Sequence, residues 1–353
     1  MSEFLKRGYK KLVPYVPGEQ PKDVVYTKLN TNENPYPPCP GANEVLSKGA
    51  EKLRLYSDPE STELVQSIAN FYDVNDENVL VTNGSDEALA LVFCAFFDQE
   101  RSVAFADITY GFYPIFADFA QAKYEEIPLK EDFTLDLDKM VNSKSHLVIA
   151  NPNAPTGIKI DQEDVRRLLD ADKSRLVVVD EAYVDFGTYT SVPLIKEYGN
   201  LIVVQTFSKS RSLAGARLGM IFAQKEIVDD IKTVKYSFHP YNVNSLTAKL
   251  GKAAIEDVDY FNDCRARIML TRAKTEKELK KRGFSVLPSS ANFLFVEHKD
   301  ISGEKLYQEL KKRRVLVRHF SKERIKNFVR ITIGTDEQMQ TLLSALDEIL
   351  GEK

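Results

Sequence analysis

Residues 206–219 read TFSKSRSLAGARLG and directly follow the apolar run LIVVQ at 201–205. Lys209 therefore stands just past the end of a segment with strand character. A lysine on an open loop needs no partner, whereas a cation at the mouth of a buried strand needs one. The small residues Ser212, Ala214, Gly215 and Ala216 follow, and small residues let the backbone approach a ligand closely. Arg217 adds a planar fork suited to phosphate.

Other short apolar runs precede this one. VLVTNGSDE (79–87), SVAFAD (102–107), LVIANPNAPTG (147–157) and RLVVVDEAYVDF (175–186) each begin as a strand and end in polar residues, and RLGMIFA (217–223) is a further β-rich run. Their apolar character is continuous rather than alternating, as expected of strands covered on both faces. Between them, TELVQSIANFY and SDEALALVFCAFF carry helical apolar spacing. The expectation is an α/β fold: a large domain over residues 31–250, with a mostly parallel sheet covered by helices on both faces. Residues 1–30 form an N-terminal arm packing with a smaller α+β domain at 251–353. That last region holds a charged helical stretch (259–281), then FLFVE, a helix ending in ELKKRR, VLVRHF, FVRITIG and the helix MQTLLSALDEIL. The proline- and asparagine-dense TNENPYPPCPG excludes long regular structure near the arm.

Bulk properties narrow the partners. The 353 residues carry 48 basic against 52 acidic side chains, so no one-signed surface marks nucleic-acid or membrane binding. The ten-residue run ALALVFCAFF is too short for a bilayer, which takes roughly 20 residues in a helix. MSEFLKRGYKKLVPYVPG has no secretory pattern, so a soluble cytoplasmic protein is expected. Cys39, Cys94 and Cys264 read as three buried small hydrophobes in a reducing compartment. His146, His239, His298 and His319 show no ligand spacing, so no metal site is expected.

Ligands of open α/β sheets gather at strand carboxyl ends. Ser85 and Asp86 open a helix there, either as part of a phosphate-binding turn or as ordinary caps. The NPNAPTG loop is a rigid site loop or a plain turn. Asp180 ends a buried strand and calls for a cation or hydrogen-bond donor unless it sits in an exposed turn, and Tyr183 could share its crevice. Lys209 follows Asp180 by 29 positions, which fits one strand–helix–strand crossover onto a neighbouring strand. A lysine, an acid, a tyrosine and a phosphate cradle without a metal match the needs of pyridoxal 5′-phosphate. Its aldehyde forms a Schiff base with a lysine, its ring nitrogen needs an acid, and its phosphate needs amides and an arginine.

With these residues in place, the chain resembles the class I and II aminotransferases of the fold-type I pyridoxal-phosphate enzymes. The resemblance runs in order through LNTNENPYPP, LYSDPES, VTNGSDEAL, NPNAPTG, VVDEAY, TFSKSRSLAGARLG, SANFLFV, VLVRHF and FVRITIGT, and is strongest to the branch that uses histidinol phosphate and glutamate. It implies that Lys209 is the Schiff-base lysine and the acid/base that moves the substrate proton. Asp180 would pair with the ring nitrogen, Tyr183 with the ring oxygen, and Tyr110 would stack on the ring. Ser85, Asp86, Thr206, Ser208 and Arg217 would surround the phosphate. Tyr56 would reach across a homodimer interface to the other subunit's phosphate. Arg330 would hold a substrate carboxylate, Arg318 with Tyr15 a substrate phosphate, and Asn32 would join the substrate site. Where many relatives have asparagine directly before the proline of the PTG turn, this chain has Ala154, which leaves the ring-oxygen contact to Asn153 or to Tyr183 alone. Aromatic aminotransferases and threonine-phosphate decarboxylase share the scaffold and are the alternative enzymes. A catalytically silent ligand-binding protein is the alternative outside enzymes.

Overall fold

The structure is a computed structural model and describes residues 2–21, 24–49, 53–187 and 189–351. A short strand β1 (Thr27–Lys28) leads in. The main sheet contains β2 (Val79–Thr82), β3 (Val103–Ala106), β4 (Tyr124–Ile127), β5 (His146–Ala150), β6 (Val177–Asp180), β7 (Leu201–Thr206) and β8 (Gly219–Ala223). Their spatial order is β2-β8-β7-β6-β5-β3-β4. β8 alone runs against the common direction of the other six strands.

Successive side chains on a strand point to opposite faces, so a sheet buried on both faces needs apolar residues at every position. β6 and β7 meet that demand. Val177, Val179, Leu201 and Val203 enter one apolar cluster, while Val178, Ile202 and Val204 enter another on the opposite face. The edge strand β4 reads YEEI, with only Ile127 buried. It is paired on one side alone, and its polar composition gives no strand signal.

Two connections within this sheet are made without an α-helix. The crossover from β6 to β7 is not an α-helix but two short 3₁₀ turns, Val184–Phe186 and Val192–Lys196. Gly187, with φ 145, ends the first turn, and Pro193 sits at the start of the second. β6 and β7 are nonetheless adjacent and parallel, with Asp180 level with Val204. After Lys209 the chain makes a single 3₁₀ turn, Ala214–Ala216, before Arg217 takes a left-handed φ of 56 and β8 begins.

A second sheet is antiparallel, ordered β12 (Arg318–His319), β13 (Phe328–Thr332), β10 (Phe293–His298) and β9 (Phe284–Val286). VLVRHF is split: β11 (Val315–Leu316) pairs with β1, and β12 pairs with β13. Leu294, Val296, Val329 and Ile331 build the core of this region with Leu306, Leu310, Leu342 and Leu346. Phe295 faces the other way, into the apolar cluster shared with the main sheet. Arg330 lies opposite Phe295, and Arg318 opposite Arg330. Cross-strand partners share a face, so the pairing directs both arginines toward the main sheet.

Cys39 and Cys264 are buried, but Cys94 is exposed. It sits on the helix Gly84–Phe96, whose buried stripe runs through Ala88, Leu89, Leu91, Val92 and Phe93 and leaves Cys94 on the outer side. Among the described residues no helix is long and apolar enough to cross a membrane. Among them, too, no group of three His, Cys, Asp or Glu side chains is arranged to hold a metal ion.

Candidate active site

The carboxyl ends of β5, β6 and β7 and the start of the helix Gly84–Phe96 enclose a cavity of about 170 Å³. Ser85, Asp86, Tyr110, Asp180, Tyr183, Thr206, Ser208, Lys209 and Arg217 all line it. A wider cleft of about 420 Å³ adjoins it, lined by Tyr15, Asn32, Arg318 and Arg330 and sharing Tyr110, Tyr183 and Lys209. The site residues expected from sequence are spread over the chain, and the fold gathers all of them except Asn153 and Tyr56 around these two spaces.

Lys209 Nζ donates to the carbonyl of Thr31 at 3.2 Å and lies 5.8 Å from the centre of the Tyr183 ring. Asp180 is 5% exposed. Burial pushes its carboxyl up to about 6, opposed by hydrogen bonds from the Tyr113 hydroxyl and the Ala182 amide. The charge of Asp86 raises it further, while the Lys209 ammonium lowers it. A carboxylate held in this way is poised to take a cationic partner, because a positive N–H at the cavity wall would remove the desolvation penalty.

The opposite end of the cavity is built for an anion. The helix Gly84–Phe96 starts there, and no side chain caps it, so Ser85 and Asp86 occupy its first turn rather than the cap position. First-turn amides of a helix lack intrahelical partners and favour negative charge. Thr206 Oγ1 donates to Ser208 Oγ at 3.0 Å, and Arg217 reaches Ser208 Oγ at 3.5 Å and Asp86 Oδ2 at 2.9 Å. The space is reserved by glycines. A Cβ on Gly219 would lie 2.5 Å from the Gly84 carbonyl carbon and 2.6 Å from the Ser85 nitrogen. Gly84 itself has φ +82, and a Cβ there would meet the Arg217 guanidinium at 2.6 Å. A carboxylate facing an amine at one end, with an arginine, hydroxyls and a helix start at the other, is the donor set pyridoxal 5′-phosphate requires, so the residues present fit that group.

In the wider cleft Arg330 Nη2 donates to the Asn30 carbonyl at 3.2 Å, and its guanidinium lies over Phe293 and Phe320. Its Nε is buried without a hydrogen-bond partner, and burial lowers its proton affinity. A buried guanidinium with an unused N–H is costly unless an anion arrives. Arg318 donates to the carbonyls of Val16 and Pro17. Tyr15 stacks on Phe112 with ring centres 4.4 Å apart. Asn32 Nδ2 donates to the Tyr183 hydroxyl at 2.9 Å and its Oδ1 accepts from Thr332.

Two residues lie elsewhere. The Asn153 side chain is spent on Ile108, Thr109 and Thr156 and lines neither space, although Ala154 lines both. Of Asn153 and Tyr183, only Tyr183 faces the cavity. Tyr56 is 85% exposed, stacks on Tyr241 and borders a separate groove.

Sequence reasoning missed Tyr113, which supports Asp180, and Glu33, which lines the cavity and is held ionised by Lys28 and Thr31 against its burial. The aromatic-rich YGFYPIF after β3 was a signal for the first. Glu33 sits in an irregular segment with no periodic pattern to place it.

A family profile for aminotransferase class I and II matches residues 24–346. A histidinol-phosphate aminotransferase of Clostridium acetobutylicum is 47% identical over 352 residues, which is 99% of this chain and 100% of that protein. A solved histidinol-phosphate aminotransferase structure from the same organism superposes with TM-score 0.85 at 26% identity, covering 92% of this chain and 99% of that one. The structure of a histidinol-phosphate aminotransferase from Sinorhizobium meliloti in complex with pyridoxal 5′-phosphate shares the fold with TM-score 0.90, at 21% identity over 100% of this chain and 99% of that one.

Proposed function

The chain belongs to the class I and II aminotransferases, and from that premise we propose that it transfers the amino group of glutamate to imidazole-acetol phosphate, giving L-histidinol phosphate and 2-oxoglutarate in histidine biosynthesis. The observation that carries this reading is the placement of Arg318 and Arg330 on one sheet face beside the cavity holding Lys209 and Asp180. A phosphate and a carboxylate are both bidentate anions, so one pair of guanidinium groups can serve two substrates in turn.

Pyridoxal 5′-phosphate, when bound, supplies an aldehyde for the substrate amine and a ring that accepts the electrons released on proton removal. Lys209 would provide the amine that links to it and would carry the proton to and from the substrate carbon. Asp180 would keep a proton on the ring nitrogen, with Tyr113 orienting its carboxylate. Tyr110 would cover the ring, and Tyr183 would donate to its oxygen. Thr206, Ser208, Arg217 and the amides of Ser85 and Asp86 would hold the phosphate. The Asp86 carboxylate accepts from Tyr110 and Arg217 and so orients both. Asn153 is left out of this assignment, because its polar atoms already have partners.

We place the enzyme in the cytoplasm as a homodimer. Its three cysteines are free, in keeping with a reducing compartment. Leu53, Leu55, Tyr56, Phe238 and Tyr241 leave large apolar surface exposed, which favours an interface between copies. The test is a steady-state comparison of three substrates on the purified holoenzyme. Histidinol phosphate with 2-oxoglutarate should be turned over with a far higher kcat/KM than phenylalanine. Carbon dioxide release from threonine phosphate, or preferred transfer to phenylpyruvate, would replace the proposed activity.

A further inference from the structure

The amine of Lys209 ends a flexible side chain, so where it points depends on how firmly the backbone at 209 is held. That backbone belongs to no regular element between Thr206 and Ala214, and Ser212 within it has a left-handed φ of 58. Tethers stand in for secondary structure. Arg211 is buried against Phe71 and Phe261 and donates to the Ala254 carbonyl at 2.7 Å. Ser210, 4% exposed, is gripped at its carbonyl and its hydroxyl. Its carbonyl accepts from Asn34 Nδ2 at 3.1 Å, and its hydroxyl donates to Asp185 Oδ2.

Asp185 belongs to the 3₁₀ turn Val184–Phe186, which continues directly from Asp180 and Tyr183. That turn is closed by Val184 N–H to Glu181 and Phe186 N–H to Tyr183. Phe186 is fully buried. One charge-assisted hydrogen bond thus ties the turn that follows the acid and the phenol to the loop bearing the amine.

We infer that Asp185 is a positioning residue for the transamination, acting through Ser210 to hold Lys209 in register with Asp180 and Tyr183. The inference rests on the assignment of Lys209 made above. An angstrom-scale drift of the amine would slow proton transfer while leaving the arginines that bind substrate in place.

The test compares Asp185→Ala, Ser210→Ala, their double variant and Asp185→Asn in the holoenzyme. Asp185→Ala and Ser210→Ala should each lower kcat by roughly tenfold to a hundredfold, with KM for both substrates changed by no more than about twofold. The double variant should lose no more than the worse single one, because both remove the same bond. Asp185→Asn keeps an acceptor for the hydroxyl and should recover most of the rate. The visible circular dichroism of the lysine-linked cofactor should change in both alanine variants and return in Asp185→Asn. Alanine variants with wild-type kcat and dichroism, differing only in thermal stability, would reduce the bond to a structural contact, and additive losses in the double variant would break the proposed coupling. Should the wild-type protein itself show no lysine-linked absorption, the Lys209 assignment would be what failed.

Discussion

The hydroxyl of Tyr113 lies 2.7 Å from Oδ2 of Asp180, and both side chains are buried beneath the cavity. Burial lifts Asp180 from 3.8 to about 6, so the folded chain holds this proton more tightly than the unfolded one. The resulting stability is fully present below the ordinary carboxylate range and is lost as pH rises through the folded value, a swing on the order of 3 kcal/mol. Tyr113 limits that loss by solvating the ionised form. In the cofactor-free protein, Tyr113→Phe should therefore cost about 1–2 kcal/mol near pH 8 and much less near pH 5, measured by urea unfolding. Glu181, pushed up to about 7 by burial, titrates in both proteins and cancels in the comparison. An equal loss at the two pH values would show that the bond does not discriminate between the ionised and neutral carboxyl.

Gly219 faces the start of the helix Gly84–Phe96 so closely that a methyl group has no room. The atoms it would strike are backbone, which cannot swing aside as a side chain can. Gly219→Ala should cost about 1–3 kcal/mol and shift the first turn of that helix. Because the amides proposed to hold the phosphate lie in the same turn, cofactor dissociation should accelerate together with the fall in Tm. A variant with lowered Tm but unchanged cofactor affinity would separate the helix start from phosphate binding.

The strands and their burial were legible because a sheet covered on both faces forces long apolar runs, as in the VVV of VVVD and the LIVV of LIVVQT. That Lys209, Asp180 and Arg217 line a cavity was legible because a charged group at the end of such a run must either reach solvent or face a polar space. The β6–β7 crossover was not, since a parallel pair fixes only that the chain must return and Gly187 and Pro193 decide how. Asn153 misled because its sequence position is one residue from the cavity wall, and only the hydrogen bonds to Ile108, Thr109 and Thr156 show its side chain turned away. Tyr113 lies far from Asp180 in sequence, and no local pattern joins them.

Arg330 and Arg318 can be told apart by substrate. Arg330 offers an unused buried Nε, whereas Arg318 reaches both the arm carbonyls and the cleft. Arg330→Gln should raise KM for glutamate by about tenfold to a hundredfold, the loss of one charge-assisted contact. Arg318→Gln should raise KM for histidinol phosphate more than for glutamate, with kcat for glutamate little changed. Identical effects on both substrates would mean that the two guanidinium groups act as one undivided site.

Tyr56 supplies a test of assembly that needs no structure of the dimer. It is exposed and outside both cavities of its own chain, so any role at the cofactor phosphate must be played in a neighbouring copy. Lys209→Ala and Tyr56→Ala homodimers should each be impaired, the first by roughly a hundredfold or more through loss of proton transfer. When the two are unfolded together and refolded, half of the dimers at random pairing are hybrids. In each hybrid one site combines both defects, while the other has an intact Lys209 and receives an intact Tyr56 from the Lys209→Ala chain. Roughly one site in four across the mixture should then work as in the wild type, giving more activity than the mean of the two parents. If Tyr56 instead served its own chain, every site would keep one defect and mixing would restore nothing.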